Sequence, residues 1–208
     1  MPSTENLLAF LTATLIFAAL PGPAILYAVA QTMTRGRKGG FLAALGLALG
    51  GLAHVLAAAA GLSVIFIHSP TLFLVVKLGG AAYLIWLGIQ MIRSRSLGRM
   101  PVWAQKRPWR AFGESVIVEL LNPKTALFFI AFLPQFVDAS AFLPVWMQFL
   151  LLGLFVNFCF FAADVIAILL ADQLLVRMKR SSRAVRLMRI AGGSTLVGLG
   201  AHMAISRQ

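Results

Sequence analysis

The sequence holds little of what a water-facing protein needs. Of its 208 residues only 12% are Asp, Glu, Lys or Arg, against about 25% in an average soluble domain. A soluble fold of this length could not cover its surface with so few charges. Acid is scarcest: six Asp and Glu stand against 18 Lys and Arg, a formal net charge of +12. Cysteine is nearly missing. Cys159 stands alone inside an apolar run, which excludes an intrachain disulfide and a thiolate metal cluster and leaves it as a small residue expected to be buried. No HExxH or GxSxG pattern occurs, and Asp164 and Asp172 do not form a paired intramembrane dyad, because Asp172 falls at a helix end. An intramembrane enzyme is therefore the reading with least support. The first apolar run lacks a basic n-region and carries Glu5, so it is expected to be a retained helix rather than a cleaved signal.

What is present is apolar. Hydrophobic residues make up 60% of the chain and the mean hydropathy is +0.90. A spanning helix needs about 20 mostly apolar residues, and six stretches qualify: 6–32, 40–67, 71–92, 113–135, 145–171 and 187–205. The expectation is one all-α transmembrane domain over residues 1–208. The segments between the stretches alternate. Residues 35–38 hold three basic residues, 93–110 hold six and 177–189 hold six, while 67–70 and 136–144 hold no Lys or Arg. The basic clusters thus read as cytoplasmic loops, which puts both termini outside. No nucleic-acid recognition motif accompanies the charge, so nucleic acid is not an expected partner. Trp86, Trp103, Trp109 and Trp146 fall near predicted interfaces and read as belt residues. His68 and His202 fall near membrane ends, and Lys77 is close enough to one to snorkel outward.

The two halves look alike. Leu20-Pro21-Gly22-Pro23 stands one hundred residues before Leu120-Leu121-Asn122-Pro123, and Gly79-Gly80 resembles Gly192-Gly193. Three helices per half force the second half to enter from the opposite side, giving a 3+3 inverted-topology repeat of the kind many secondary transporters use. Proline lacks an N–H, clashes with the preceding turn and disfavours helical geometry just before it. Helices 1 and 4 are therefore expected to break at Pro21-Gly22-Pro23 and Asn122-Pro123. Gly or Asn caps a helix, and Pro suits its first position. Each break then reads as the start of a half-helix with free N–H groups and a positive dipole end. Two such ends, with Lys124 beside one, suit a carboxylate.

Ionisable residues inside the spans carry a cost of about 2.5–3.5 kcal/mol each on insertion scales, so each implies a partner or a task. Gly153, Asn157 and Asp164 share one face of helix 5, and Ser115, Glu119 and Asn122 share one face of helix 4. Asn157 joins the substrate-binding candidates. Glu119 and Asp164 are candidates for proton coupling or for binding an ammonium group, or else they pair with Lys124 to hold helices together. Glu114 and Asp172 fall near the cytoplasmic surface and read as solvated. Gly46, Gly50 and His54 recur every four residues on helix 2, a GxxxG face for close packing. His54 continues that face, where it either relays protons or donates to a backbone carbonyl.

Pro21-Gly22-Pro23 followed by Arg35-Gly36-Arg37-Lys38-Gly39-Gly40 resembles the LysE/RhtB family of amino-acid exporters. So does the run from Asn122-Pro123-Lys124-Thr125 to Phe129, continuing as Ala131-Phe132-Leu133-Pro134-Gln135-Phe136, and so does Gly79-Gly80-Ala81-Ala82-Tyr83-Leu84. The likeness covers essentially the whole chain. It implies proton-driven export of amino acids or their derivatives across a bacterial cytoplasmic membrane, no cofactor, no resident metal, and a homodimer. One departure stands out. Several family members carry an acidic residue in helix 2 close to Gly51, and here the ionisable group nearby is His54. That puts in doubt a coupling role for helix 2 and a preference for cationic substrates. Family members handle neutral, basic and sulfur-containing amino acids, and related exporters move metal ions. Metal or other ion export on the same scaffold is therefore the alternative, although one cysteine and three scattered histidines are a poor ligand set.

Overall fold

The computed structural model describes residues 4–93 and 108–171, with scattered helical positions between 186 and 205. Trp103, Asp172, His202, Arg207 and most of the second and third basic clusters lie outside the described residues, as does the side chain of Lys77. Every described element is helical. Helix α1 spans Thr4–Ala19. Helix α2, Pro23–Ala57, runs through a π-helical stretch at Ala58–Leu62 into α3, Ser63–His68, and α4 follows at Pro70–Arg93. Helix α5 spans Pro108–Leu120. Helix α6, Pro123–Leu127, passes through a second π-helical stretch, Phe128–Phe132, into a 3-10 turn at Leu133–Phe136, and α7 spans Val145–Leu169. Among the described residues three helical segments are long and apolar enough to cross a membrane: Pro23–Ile65, Trp109–Phe136 and Val145–Leu169. The chain is an all-α membrane protein.

The expected connector between 32 and 40 is replaced by unbroken helix on both sides of a single residue. Gly36 takes φ 70° and ψ −179°, a positive-φ conformation open to glycine and costly for other residues. The chain turns back on itself there. A Cβ added to Gly40 would lie 2.0 Å from Thr32 Oγ1, and one on Gly39 would lie 3.2 Å from the Gln31 carbonyl oxygen. Residues eight apart in a straight helix stand about 12 Å apart, so these approaches define a tight helical hairpin. Arg35, Arg37 and Lys38 surround its tip.

The returning arm of α2 lies along α5. A Cβ on Gly46 would meet Ser115 Oγ at 2.0 Å and the Phe112 carbonyl at 2.5 Å, and one on Gly50 would meet the Val116 carbonyl at 2.8 Å. Contact partners rise together in sequence, so these helices run parallel, with glycine permitting backbone-to-backbone approach. Helix α4 packs in the opposite sense on the last helical positions: a Cβ on Gly88 would lie 2.5 Å from the Gly193 carbonyl, and one on Gly200 would lie 2.7 Å from the Ala81 carbonyl.

The main core is aromatic. Phe17, Phe128 and Phe149 are fully buried, with Phe17 and Phe128 rings 4.7 Å apart and Phe132 and Phe136 continuing the column at 4.8 Å. Leu74, Val75, Leu151, Leu154 and Phe158 are exposed large apolar residues, an outer surface suited to lipid. Trp86, Trp109 and Trp146 are also exposed. Cys159 is partly exposed rather than buried, because it faces outward on α7 one residue from Phe158. Past the 3-10 turn, Asp138 accepts from both the N–H and the hydroxyl of Ser140. Those two donors hold its carboxyl below the usual aspartate range.

A polar chamber at two helix discontinuities

Two gaps in the helical backbone lie side by side, and each follows from where proline removes a donor. Pro21 and Pro23 cannot satisfy the carbonyls four residues before them, and α1 ends at Ala19. Gly22, with extended φ −124° and ψ −177°, precedes Pro23 at the first position of α2. In the second gap Asn122, at φ −74° and ψ 105°, precedes Pro123 at the first position of α6, and its side chain accepts from the Lys124 backbone N–H at 3.1 Å. That is the N-cap geometry asparagine favours.

Lys124 joins the two gaps. Its Nζ donates to the Leu20 carbonyl at 2.6 Å, capping the negative end of α1 with a cation. The same ammonium lies 5.0 Å from the Phe17 ring centre and 5.6 Å from that of Phe160, a favourable cation–π distance. Its aliphatic stem rests on Gly22, where a Cβ would come within 2.8 Å of Lys124 Cδ.

Glu119 is the keystone of the second gap. Its Oε2 accepts from Asn122 Nδ2 at 2.9 Å and its Oε1 from Thr125 Oγ1 at 2.6 Å. The Glu119 backbone carbonyl would ordinarily accept from residue 123, which is proline. It accepts instead from the Asn122 N–H at 3.0 Å and from His54 Nε2 at 2.9 Å. A carbonyl only accepts, so this partner assigns the proton to Nε2 of His54. Asn157 Nδ2 donates to the Ala48 carbonyl at 3.2 Å, and its Oδ1 fills the space over Gly51, 1.9 Å from where a Cβ would stand.

Gly22, Glu119, Asn122, Lys124, Asn157 and Asp164 share one chamber, which Ala18, Ile25, Leu47, Phe160 and Phe161 complete as an apolar wall. The volume reachable by a water centre is about 20 Å³, enough for water and too small for an amino acid. Of the residues singled out from sequence, Pro21, Pro23, Pro123 and His54 do not line the chamber. They shape its walls. Glu119 and Asp164 are both buried at 4% exposure, and neither is hydrogen-bonded to Lys124. Glu114 is partly buried instead of solvated, and Tyr27 donates to it at 3.5 Å and to the Ala111 carbonyl at 3.2 Å. This pair ties the first arm of α2 to α5. Sequence reasoning missed Thr125, Phe17 and Phe160 as parts of the site. Thr125 stands in the Asn-Pro-Lys-Thr run, but its reach to Glu119 crosses the gap and escapes helical periodicity. Among the described residues no three His, Cys, Asp or Glu side chains gather as a metal site.

Apolar helices enclosing a chamber lined by a lysine, two carboxyls and two amides make a membrane transport protein. The comparison with known families agrees. Residues 15–207 match the model of the LysE type translocators, and the chain belongs to that family. It is 31% identical over 148 residues to an uncharacterized membrane protein of Vibrio cholerae, covering 71% of each chain. It is 33% identical over 138 residues to the leucine efflux proteins of Salmonella choleraesuis and Salmonella typhimurium, covering 65% of each chain. No solved structure matches. The protein is a transporter and not an enzyme.

Proposed function

We propose that the protein is a secondary active exporter of amino acids, coupled to the proton motive force, in a bacterial cytoplasmic membrane. One observation carries the reading: Lys124, the capped start of α6 and the Gly22 end of α2 share a chamber with two carboxyls. A zwitterion fits this polarity. Its carboxylate would take the Lys124 ammonium from the Leu20 carbonyl and lie at the two N-terminal helix ends, while its ammonium would lie on the acidic side. The apolar wall favours a neutral aliphatic side chain, and the leucine efflux relatives point the same way.

The architecture belonging to this reading is six spans in a 3+3 inverted repeat, with the first and fourth broken at their Pro motifs and both termini outside. The parallel run of α2 beside α5 and the antiparallel run of α4 beside the last helical positions support that topology. A homodimer completes the reading.

Counterflow in proteoliposomes, with a panel of labelled amino acids and with or without a pH gradient, tests it. Gradient-dependent movement of a small aliphatic subset is the expected result. Movement of no amino acid by folded protein would overturn the reading.

A further inference from the structure

We infer that the two carboxyls of the chamber have separate tasks: Asp164 alternately holds a proton and the substrate ammonium, whereas Glu119 is a positioning residue that fixes the gap between α5 and α6. This rests on the exporter reading of the same chamber.

Glu119 is already fully engaged. One oxygen accepts from Asn122 and the other from Thr125, and its backbone carbonyl accepts from His54. Asn122 in turn caps α6. A substrate cation could reach Glu119 only by displacing a donor that holds the gap in shape. The network is closed and satisfied, as buried polar networks must be to remain in place.

Asp164 is the opposite case. It stands on α7 across the chamber and is just as buried, yet among the described residues no hydrogen bond or ion pair reaches its carboxyl. The charged groups facing it are Lys124 from α6 and Glu119 from α5. The α1 and α2 walls present Ala18, Gly22, Ala24, Ile25, Leu47 and Ala48, none of them titratable. His54, on α2, meets the back of Glu119 and does not line the chamber. Lys124 is the cation nearest to it, but that ammonium is held on the Leu20 carbonyl and makes no ion pair with Asp164. A buried carboxylate needs a paired cation or a donor of its own to stay charged. Asp164 therefore holds a proton when the chamber carries only water. When a substrate ammonium docks, that proton passes to chamber water, and when the substrate leaves, a proton returns. One carboxyl cannot hold both, so occupancy by one excludes the other. Antiport follows from that exclusion, and the coupling between proton and substrate is reciprocal.

The test uses purified full-length protein and L-leucine as the probe, with binding measured by calorimetry in buffers of different ionisation enthalpy, which counts protons released. Wild-type protein is expected to release a proton on binding and to bind more weakly as pH falls. Asp164→Asn is expected to bind about tenfold or more weakly, to release no proton and to lose the pH dependence. Glu119→Gln, if it folds, is expected to keep proton release per leucine bound, and the wild-type pH slope, at reduced thermal stability. If Asp164→Asn does not fold, Asp164→Glu keeps the carboxyl and is expected to keep proton release. Leucine binding by wild type without proton release would overturn the division of tasks while leaving the exporter reading in place. So would undiminished release by Asp164→Asn, or release lost in Glu119→Gln alone. Failure of every amino acid to bind or move would instead remove the exporter reading itself.

Discussion

Lys124 Nζ donates to the carbonyl oxygen of Leu20 at 2.6 Å across 104 residues of sequence. This bond fastens the end of α1 to the start of α6, and it occupies the one cation that an incoming carboxylate needs. A hydrogen bond to a charged group contributes about 1.5–3 kcal/mol. Lys124→Met keeps the apolar stem against Phe17 and Phe160 and removes the charge. It is expected to insert and fold while losing substrate affinity roughly ten- to hundredfold. Transport in proteoliposomes, set beside thermal melting in detergent, separates those effects. Normal export by this variant would remove the carboxylate site.

Gly22→Ala probes the same place from the other side. The new methyl would meet Lys124 Cδ at 2.8 Å, and a flexible side chain can move away. The fold is expected to survive and transport to fall, because Lys124 is pushed off the chamber. The Michaelis constant for export is the readout, with a rise at unchanged protein level as the expected result.

His54 supplies the donor that Pro123 cannot. The Asn122 N–H still reaches the Glu119 carbonyl, so His54→Ala is expected to cost about 0.5–1.5 kcal/mol, the net contribution of one hydrogen bond, and His54→Gln to recover part of it. Since His54 acts here on a backbone carbonyl outside the chamber, the pH profile of export by the folded His54→Gln protein should match wild type. A shifted profile would give His54 a direct part in proton transfer.

Gly46→Ala places a methyl 2.5 Å from the Phe112 carbonyl and 2.0 Å from Ser115 Oγ. Overpacking of this kind costs about 1–3 kcal/mol. Adding Ser115→Ala removes one of the two obstacles and should restore part of the melting temperature, leaving the backbone clash. Full recovery in the double variant would show that the two backbones can spread apart at Gly46.

Much of this was legible beforehand, for identifiable reasons. Long apolar runs suit membrane helices, and three helical segments of that kind stand among the described residues, while proline's missing donor is a local property that any reading of the residues registers. Glu119, Lys124, Asn157 and Asp164 stood out because charge and amide groups in apolar runs demand a reason. Who bonds to whom did not follow. Lys124 chooses a backbone carbonyl over either carboxyl, and no spacing rule reports on a contact between segments a hundred residues apart. The two π-helical stretches carry no sequence signal comparable to proline. The reversal at Gly36 was read as a basic loop, since its glycine and three cations look the same whether the turn takes one residue or eight.

That reversal has a consequence for how the protein is made. Its two arms meet through residues only eight apart, and a loop of about that length closes in roughly 10–100 ns. Ribosomes add about 5–20 residues each second. The pairing of Thr32 with Gly40 therefore requires nothing that is still unsynthesised, and the first two membrane segments can enter the bilayer as a finished hairpin. In the topology proposed above, its tip, carrying Arg35, Arg37 and Lys38, stays behind as a charged stop on the side where synthesis takes place.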